Sequence, residues 1–140
     1  MLAKAIKIAT DAHATQKDKN GDPYILHLMR VCLRGKNENE KICGILHDLV
    51  EDTEWTFEQL AKEGFSAEVI RALKCVTKTS EQEPYEDFIE RVKKNKLAIS
   101  VKINDLEDNL DARRMLQLTG KDISRFNKYL KAYHELVKLK

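Results

Sequence analysis

The sequence predicts an all-α chain. Apolar residues recur at three- and four-residue spacing through most of its length. Helix-capping signals stand ahead of several of these stretches, and no pair of alternating apolar segments is available to form a sheet. The expected architecture is an orthogonal helical bundle occupying residues 1–140 as one domain.

The elements follow in order. Leu2, Ala5, Ile6, Ala9 and His13 mark one face of a first helix. Asn20-Gly21-Asp22-Pro23 is a turn, with Asp22 placed to cap a second helix and Pro23 to open it. That helix runs from about Tyr24 to Arg34, ahead of Gly35. A third helix carries Ile42, Ile45, Leu46, Leu49 and Val50 as one continuous buried stripe. Thr56 and Gln59 form a capping box for a fourth helix, which Gly64 ends. Ser66 caps a fifth helix reaching Cys75. Residues 78–84 read as the longest loop, and Pro84 opens a sixth helix through about Lys94. The stretch from Leu97 to Arg114 reads as helix despite the β-branched residues at its start, because no partner strand exists. A last helix begins near Asp122, with Ile123, Phe126, Leu130, Tyr133 and Val137 on one side.

Composition narrows the function. The net charge of +2 gives no broad basic field for DNA or RNA, and 6% aromatic residues are too few for a base-stacking platform. With 42% hydrophobic and 34% charged residues the chain reads as a soluble globule. No run approaches the ~18 apolar residues of a membrane span, and residues 1–10 lack the apolar core of a signal peptide. Cys32, Cys43 and Cys75 form no C-x-x-C pair and read as free thiols in a reducing compartment. A cytoplasmic protein is expected.

Four residues carry the chemistry: His27, the pair His47-Asp48, and Asp105. Spread over three helical segments, they read as a ligand set of two imidazoles and two carboxylates, which suits a divalent ion such as Mn, Fe or Mg. Glu51 and Asp52 follow within one turn. On a continuous helix Asp48, Glu51 and Asp52 share a face, with His47 over Glu51. Carboxylates so close repel one another, and a bound cation removes that conflict. An acidic pair beside an ion is also what metal-assisted hydrolysis requires to activate water. Each residue has a blander reading. The acidic group fits a solvated face, and His27 among Ile25, Leu26 and Leu28 fits a packed core histidine. Asp105, on a mostly apolar helix, needs either a metal or an ion pair with Arg113 or Arg114. His13 reads as structural, and His134 as facing solvent.

Taken in order, His13-Ala14-Thr15-Gln16, Gly21-Asp22-Pro23-Tyr24-Ile25-Leu26-His27, Leu46-His47-Asp48-Leu49-Val50-Glu51-Asp52-Thr53, and Val101-Lys102-Ile103-Asn104-Asp105 with Asn109 resemble the HD-domain hydrolase of the RelA/SpoT family. The resemblance covers most of the chain and extends to the small stand-alone HD proteins of that family. It implies an HD-type helical bundle that removes pyrophosphate from the 3′ position of (p)ppGpp. It further implies that His27, His47, Asp48 and Asp105 hold one metal, manganese in the family, and that Glu51 and Asp52 position and deprotonate the attacking water. Lys19, Tyr24 and Asn109 would contact the substrate, a small nucleotide. Three positions depart from the pattern. Asp18 stands where the family has an arginine that packs on the guanine, Leu106 where it has an arginine, and Leu28 where it has a proline. Lys17 offers a charge near the missing arginine but no planar face. An HD phosphohydrolase of another small nucleotide or phosphoester is the alternative, and a non-catalytic nucleotide- or metal-binding module a third reading.

Overall fold

In the computed structural model, which describes residues 1–140, the chain folds as helices joined by connections of which residues 13–24, rather than the expected 78–84, form the longest. These are α1 (Leu2–Ala12), α2 (Ile25–Arg34), α3 (Glu38–Leu46), α4 (Leu49–Asp52), α5 (Phe57–Lys62), α6 (Ala67–Cys75), α7 (Tyr85–Val92), α8 (Lys96–Asn109) and α9 (Gly120–Val137), with a 3-10 turn at Ala112–Arg114. No strand forms; a single isolated bridge joins Lys17 and Pro23. The all-α expectation holds.

The capping signals act as local chemistry requires. The Thr56 hydroxyl accepts from Gln59 N–H while the Gln59 side chain accepts from Thr56 N–H. Ser66 caps α6 through Val69 N–H. Gly64 sits at φ +100°, where any side chain would be strained. Two starts differ from expectation. Asp22 does not cap α2, because the helix begins at Ile25 and Asp22 lies two residues before the cap position; Tyr24 stands there and makes no side-chain capping bond. α9 begins two residues before Asp122, because Thr119 and Asp122 make a reciprocal capping box around that first turn.

α3 lies at the centre, packed against α1, α2, α6 and α8. Ile42, Cys43, Ile45 and Leu46 are all buried there. Gly44 lets α2 come close: a Cβ at this position would lie 3.1 Å from the Cys32 Cα and nitrogen. That contact brings the histidine of α2 toward the end of α3. Leu106, where the resembled family has arginine, is fully buried in the same core. An arginine there would have to bury an unpaired charge.

Two readings of helix faces are corrected. The third helix is not continuous. It stops at Leu46, bends through His47 and Asp48 (φ −104°, ψ 2°), and resumes as the single turn α4. The apolar stripe could not reveal this, since Leu49 is buried on either path. In α9 the stripe of Ile123, Leu130 and Val137 lies at the surface, while Ala132 and Leu136 face the core. α9 packs against α8 through the face that carries Ala132 and Leu136.

Candidate metal centre and substrate cleft

The bend at His47-Asp48 builds the site. Consecutive residues on an α-helix point about 100° apart, and the bend at Asp48 lies where His47 and Asp48 turn to one point. Here His47 Nε2 lies 3.1 Å from Asp48 Oδ2. α2 supplies His27, and α8 supplies Asp105, whose Oδ1 lies 3.0 Å from His27 Nε2 and 3.3 Å from His47 Nε2. The ligand atoms of His27, His47 and Asp48 all fall within 4.8 Å of one another. All four predicted ligands therefore meet, three of them buried and Asp48 half-buried.

The hydrogen bonds around them fix which atoms are free. His47 Nδ1 is 2.7 Å from the Gly44 carbonyl, which only accepts, so Nδ1 carries the proton and Nε2 presents a lone pair. His47 Nε2 is buried with no hydrogen-bond partner. His27 Nδ1 lies 2.7 Å from Asp108 Oδ2, so His27 likewise turns Nε2 inward. Two imidazole lone pairs and two carboxylates thus face one point, and a divalent cation fits that donor set.

The same carboxylates also draw protons to the two imidazoles, protons that a bound cation would displace from Nε2. Burial works against charge on His47 and His27, yet carboxylate partners outweigh it and hold both pKa values above the ordinary range, Asp48 and Asp105 for His47, Asp105 and Asp108 for His27. Burial also opposes ionisation of Asp48, but His47 brings its pKa down to about 2. Asp105 is held well below the usual range against burial, chiefly by Lys102 and His47. The carboxylates remain charged, and the site attracts positive charge.

Asp105 does not pair with Arg113 or Arg114. Its Oδ2 accepts from the buried Lys102 ammonium at 2.9 Å, and Oδ1 accepts from Asn109 Nδ2 at 3.0 Å. The two arginines go elsewhere because α8 ends at Asn109: Arg113 forks onto Asp111, and Arg114 reaches Asp108. Tyr24 O–H donates to Asp48 Oδ2 in a short hydrogen bond.

Glu51 and Asp52 stand beside the cluster without touching it. Glu51 Oε1 accepts Lys78 N–H at 3.2 Å, and Asp52 Oδ2 accepts Gln16 Nε2 at 3.1 Å. The Gln16 amide is held in turn by His13, whose Nδ1 lies 2.7 Å from Gln16 Oε1. The pKa of each acid is raised, first by partial burial and then by Asp48, against the opposing Lys78 N–H at Glu51. Glu51, Asp48, Asp105 and Asn109 line one cavity of about 180 Å³, with Lys78 and Lys128 in its wall. Partial burial and the neighbouring Lys78, Arg125, Lys102 and Lys19 push the Lys128 pKa down, a mark of surplus positive charge.

A second cleft of about 300 Å³ holds Lys17, Lys19, Tyr24 and Asn109, so the four residues read as substrate contacts are brought together. It shares Tyr24, Asn109 and Tyr129 with the cavity. Asp18 also lines it, but its carboxylate accepts from Asn20 N–H at 2.9 Å and Asp22 N–H at 3.0 Å. Asp18 is the cap of its own loop. Asp18→Ala is expected to lower the melting temperature by roughly 3–6 °C, since losing such a cap costs about 1–2 kcal/mol. Asp18→Asn, which retains the acceptor, should lose less than half of that in the same thermal melt. An unchanged melting temperature for Asp18→Ala would remove the cap from the account.

Asp108 escapes a reading by motif, and the motifs that contain Lys102, His13 and Gln16 do not reveal their roles as partners of Asp105 and Asp52. A signal for Asp108 existed: an inward-turned His27 needs an acceptor at Nδ1, and Asp108 is the next carboxylate on the buried side of α8.

No protein-family model matches the chain. It is 34% identical over 120 residues to a guanosine-3′,5′-bis(diphosphate) 3′-pyrophosphohydrolase of Aquifex aeolicus, covering 78% of this chain and 17% of that protein. A protein of the same name from Borreliella burgdorferi is 38% identical over 81 residues, covering 55% of this chain and 12% of that protein. A GTP pyrophosphokinase of Streptomyces coelicolor is 29% identical over 128 residues, covering 83% and 15%. The chain thus spans between about an eighth and a sixth of the length of these relatives. Among solved structures, a metazoan ortholog of SpoT that hydrolyzes ppGpp superposes with a TM-score of 0.79 at 24% identity, over 96% of this chain and 84% of the other. The fold is that of the SpoT-type HD helical domain.

Proposed function

We infer that this chain is a RelA/SpoT-like HD hydrolase domain, and we propose that it removes pyrophosphate from the 3′ position of (p)ppGpp, leaving GDP or GTP. One observation carries the reading: two inward-facing imidazoles and two carboxylates meet beside a cation-lined cavity that also holds Glu51. The names of the Aquifex and Borreliella relatives support the substrate.

In this proposal His27, His47, Asp48 and Asp105 hold one divalent ion, manganese by family resemblance. When bound, the ion supplies a Lewis acid for a phosphoryl oxygen and lowers the pKa of water at the site. Glu51 accepts the proton of the attacking water, and Asp52 orients that water from the position Gln16 gives it. The water oxygen adds to the phosphorus attached to O3′ and the O3′–P bond breaks. O3′ keeps the electron pair and takes a proton from solvent, and pyrophosphate leaves. Lys78 and Lys128 offset the charge of the pyrophosphate in the cavity. Asn109, held by Asp105, meets the ribose, while Lys17, Lys19 and Tyr24 line the path of the nucleotide. The free thiols of Cys32, Cys43 and Cys75 fit a reducing compartment, and we place the protein in the cytoplasm on that ground.

A second reading keeps the same site and changes the substrate to another small nucleotide or phosphoester. Asp18 favours it: the position that stacks on guanine in the resembled family is here committed to a loop. The deciding experiment is pyrophosphate release from ppGpp by the manganese-loaded protein, with Asp48→Ala as control. Release that disappears in the control is the expected result. A protein that binds manganese and leaves ppGpp intact would reject the substrate and favour the second reading.

A further inference from the structure

The carboxylate of Asp108 is fully buried and surrounded by cationic or proton-donating groups. Oδ2 accepts from His27 Nδ1 at 2.7 Å. Oδ1 accepts from Arg30 Nε at 2.7 Å and Arg34 Nη1 at 3.0 Å. Arg114 Nη2 reaches the Asp108 carbonyl at 2.8 Å and the carboxylate at 3.5 Å. One carboxylate thus faces three guanidinium groups and an imidazole; Arg34 also lies 4.0 Å from Glu107 and Arg114 3.7 Å from Asp111, so Arg30 alone of the three has no other acid.

Two of these arginines have a second face. Arg30 and Arg114 line the 300 Å³ cleft together with Lys17, Lys19 and Arg125. Only the Nε of Arg30 is used on Asp108; its two terminal nitrogens make no other hydrogen bond and its side chain is 33% exposed. A guanidinium gripped at Nε keeps its planar fork for a bidentate partner such as a phosphate. The other carboxylate oxygen meanwhile fixes His27, the only ligand that α2 contributes to the metal cluster.

The geometry points to Asp108 as a positioning residue that serves two sites with one carboxylate: through Oδ2 it sets the tautomer and direction of His27 for the metal, and through Oδ1 it aims Arg30 at a phosphate chain in the cleft. The inference rests on the hydrolase reading for the metal, and it adds that metal affinity and anion affinity depend on the same side chain. Arg34, on the outer side of the carboxylate, completes its neutralisation without reaching the cleft.

The test uses the whole chain and two probes, Mn²⁺ and GDP. Mn²⁺ affinity is measured by competition with a chelator, and the Co²⁺-loaded protein gives a visible spectrum that reports ligand geometry. GDP affinity is measured on metal-free protein by calorimetry. Asp108→Asn is expected to bind Mn²⁺ about 10–100-fold more weakly and to shift the Co²⁺ bands. It should also bind GDP about 10-fold more weakly, as loss of an aimed charged donor predicts. Arg30→Gln should lose the GDP affinity while keeping Mn²⁺ affinity within about threefold, the separation expected when the two oxygens act independently. If Asp108→Asn does not fold, Asp108→Glu keeps the charge and displaces the His27 contact, and the same Mn²⁺ and Co²⁺ shifts are expected of it. A folded Asp108 variant with wild-type Mn²⁺ affinity and spectrum overturns the inference. So does one that loses Mn²⁺ affinity with GDP binding unchanged, or a wild-type protein that binds no GDP. None of these measurements involves turnover, so inactivity toward ppGpp would reject the proposed substrate without touching this inference.

Discussion

Replacing Asp105 with alanine is expected to abolish metal binding and to destabilise the fold at once. The two effects have different causes. Oδ1 sits within 3.3 Å of both ligand nitrogens, so its loss leaves three donors and removes the carboxylate that draws the two histidines together. Oδ2 is the only carboxylate partner of Lys102, an ammonium in the protein interior packed over the Phe88 and Tyr85 rings. Breaking a buried pair from one side costs about 3–5 kcal/mol, because the remaining charge stays buried. The two causes separate experimentally. In the double variant Lys102→Met with Asp105→Ala, the ammonium is gone and a side chain of similar volume fills its place. Its urea midpoint should recover most of the loss, while its manganese content after dialysis stays at background. Manganese binding within tenfold of wild type in Asp105→Ala would sink the four-ligand assignment. A single variant as stable as wild type would sink the ion-pair account of Lys102.

This dual use of Asp105 shows why the site was only partly legible in the sequence. The residue types of the cluster, His27, His47, Asp48 and Asp105, stand at spacings that suggest a shared site. What spacing cannot supply is the partner of each residue. Asp105 on an apolar helix needs a counter-charge, and Arg113 and Arg114 stand nearest in the direction of the chain. The helix ends at Asn109, however, and the 3-10 turn carries both arginines to Asp111 and Asp108. Lys102, one turn earlier, takes the position instead, since residues i and i+3 lie on one face. The break at His47-Asp48 was hidden for a similar reason. Burial periodicity records which residues meet the core, and Leu46 and Leu49 meet it whether the helix runs on or bends. The outward stripe of α9 shows the opposite error: Ile123, Leu130 and Val137 look like the buried face, yet Ala132 and Leu136 are the residues that the core covers. Local signals fared best where the partners lie within one turn of the chain, as at Thr56 with Gln59 and at Ser66.

The second large effect is expected of Glu51→Gln, which should retain manganese and lose turnover by roughly 10²–10⁴-fold, the range of a general base. Glu51 makes no contact with His27, His47, Asp48 or Asp105, so the ligand set survives its change. Glutamine has the same shape, and its side-chain oxygen can still accept Lys78 N–H, so the loop at Lys78 should remain in place. The change removes basicity and little else. Asp52 is the natural rival for the role. One of its oxygens is tied to Gln16, and that amide is fixed by His13, an arrangement suited to orienting a water more than to carrying its proton. Glu51 uses a single oxygen on a backbone N–H and turns its carboxyl to the cavity shared with Asp48, Asp105 and Asn109. Single-turnover rates with ppGpp at saturating manganese separate the two. Glu51→Gln should lose the chemical step outright, whereas Asp52→Asn, which still accepts from Gln16, should lose roughly 10-fold, as for misoriented rather than absent catalysis. A fully active Glu51→Gln with an inactive Asp52→Asn would exchange the roles of the two acids. Loss of manganese from Glu51→Gln would instead make Glu51 a ligand, and the proton would have to go elsewhere.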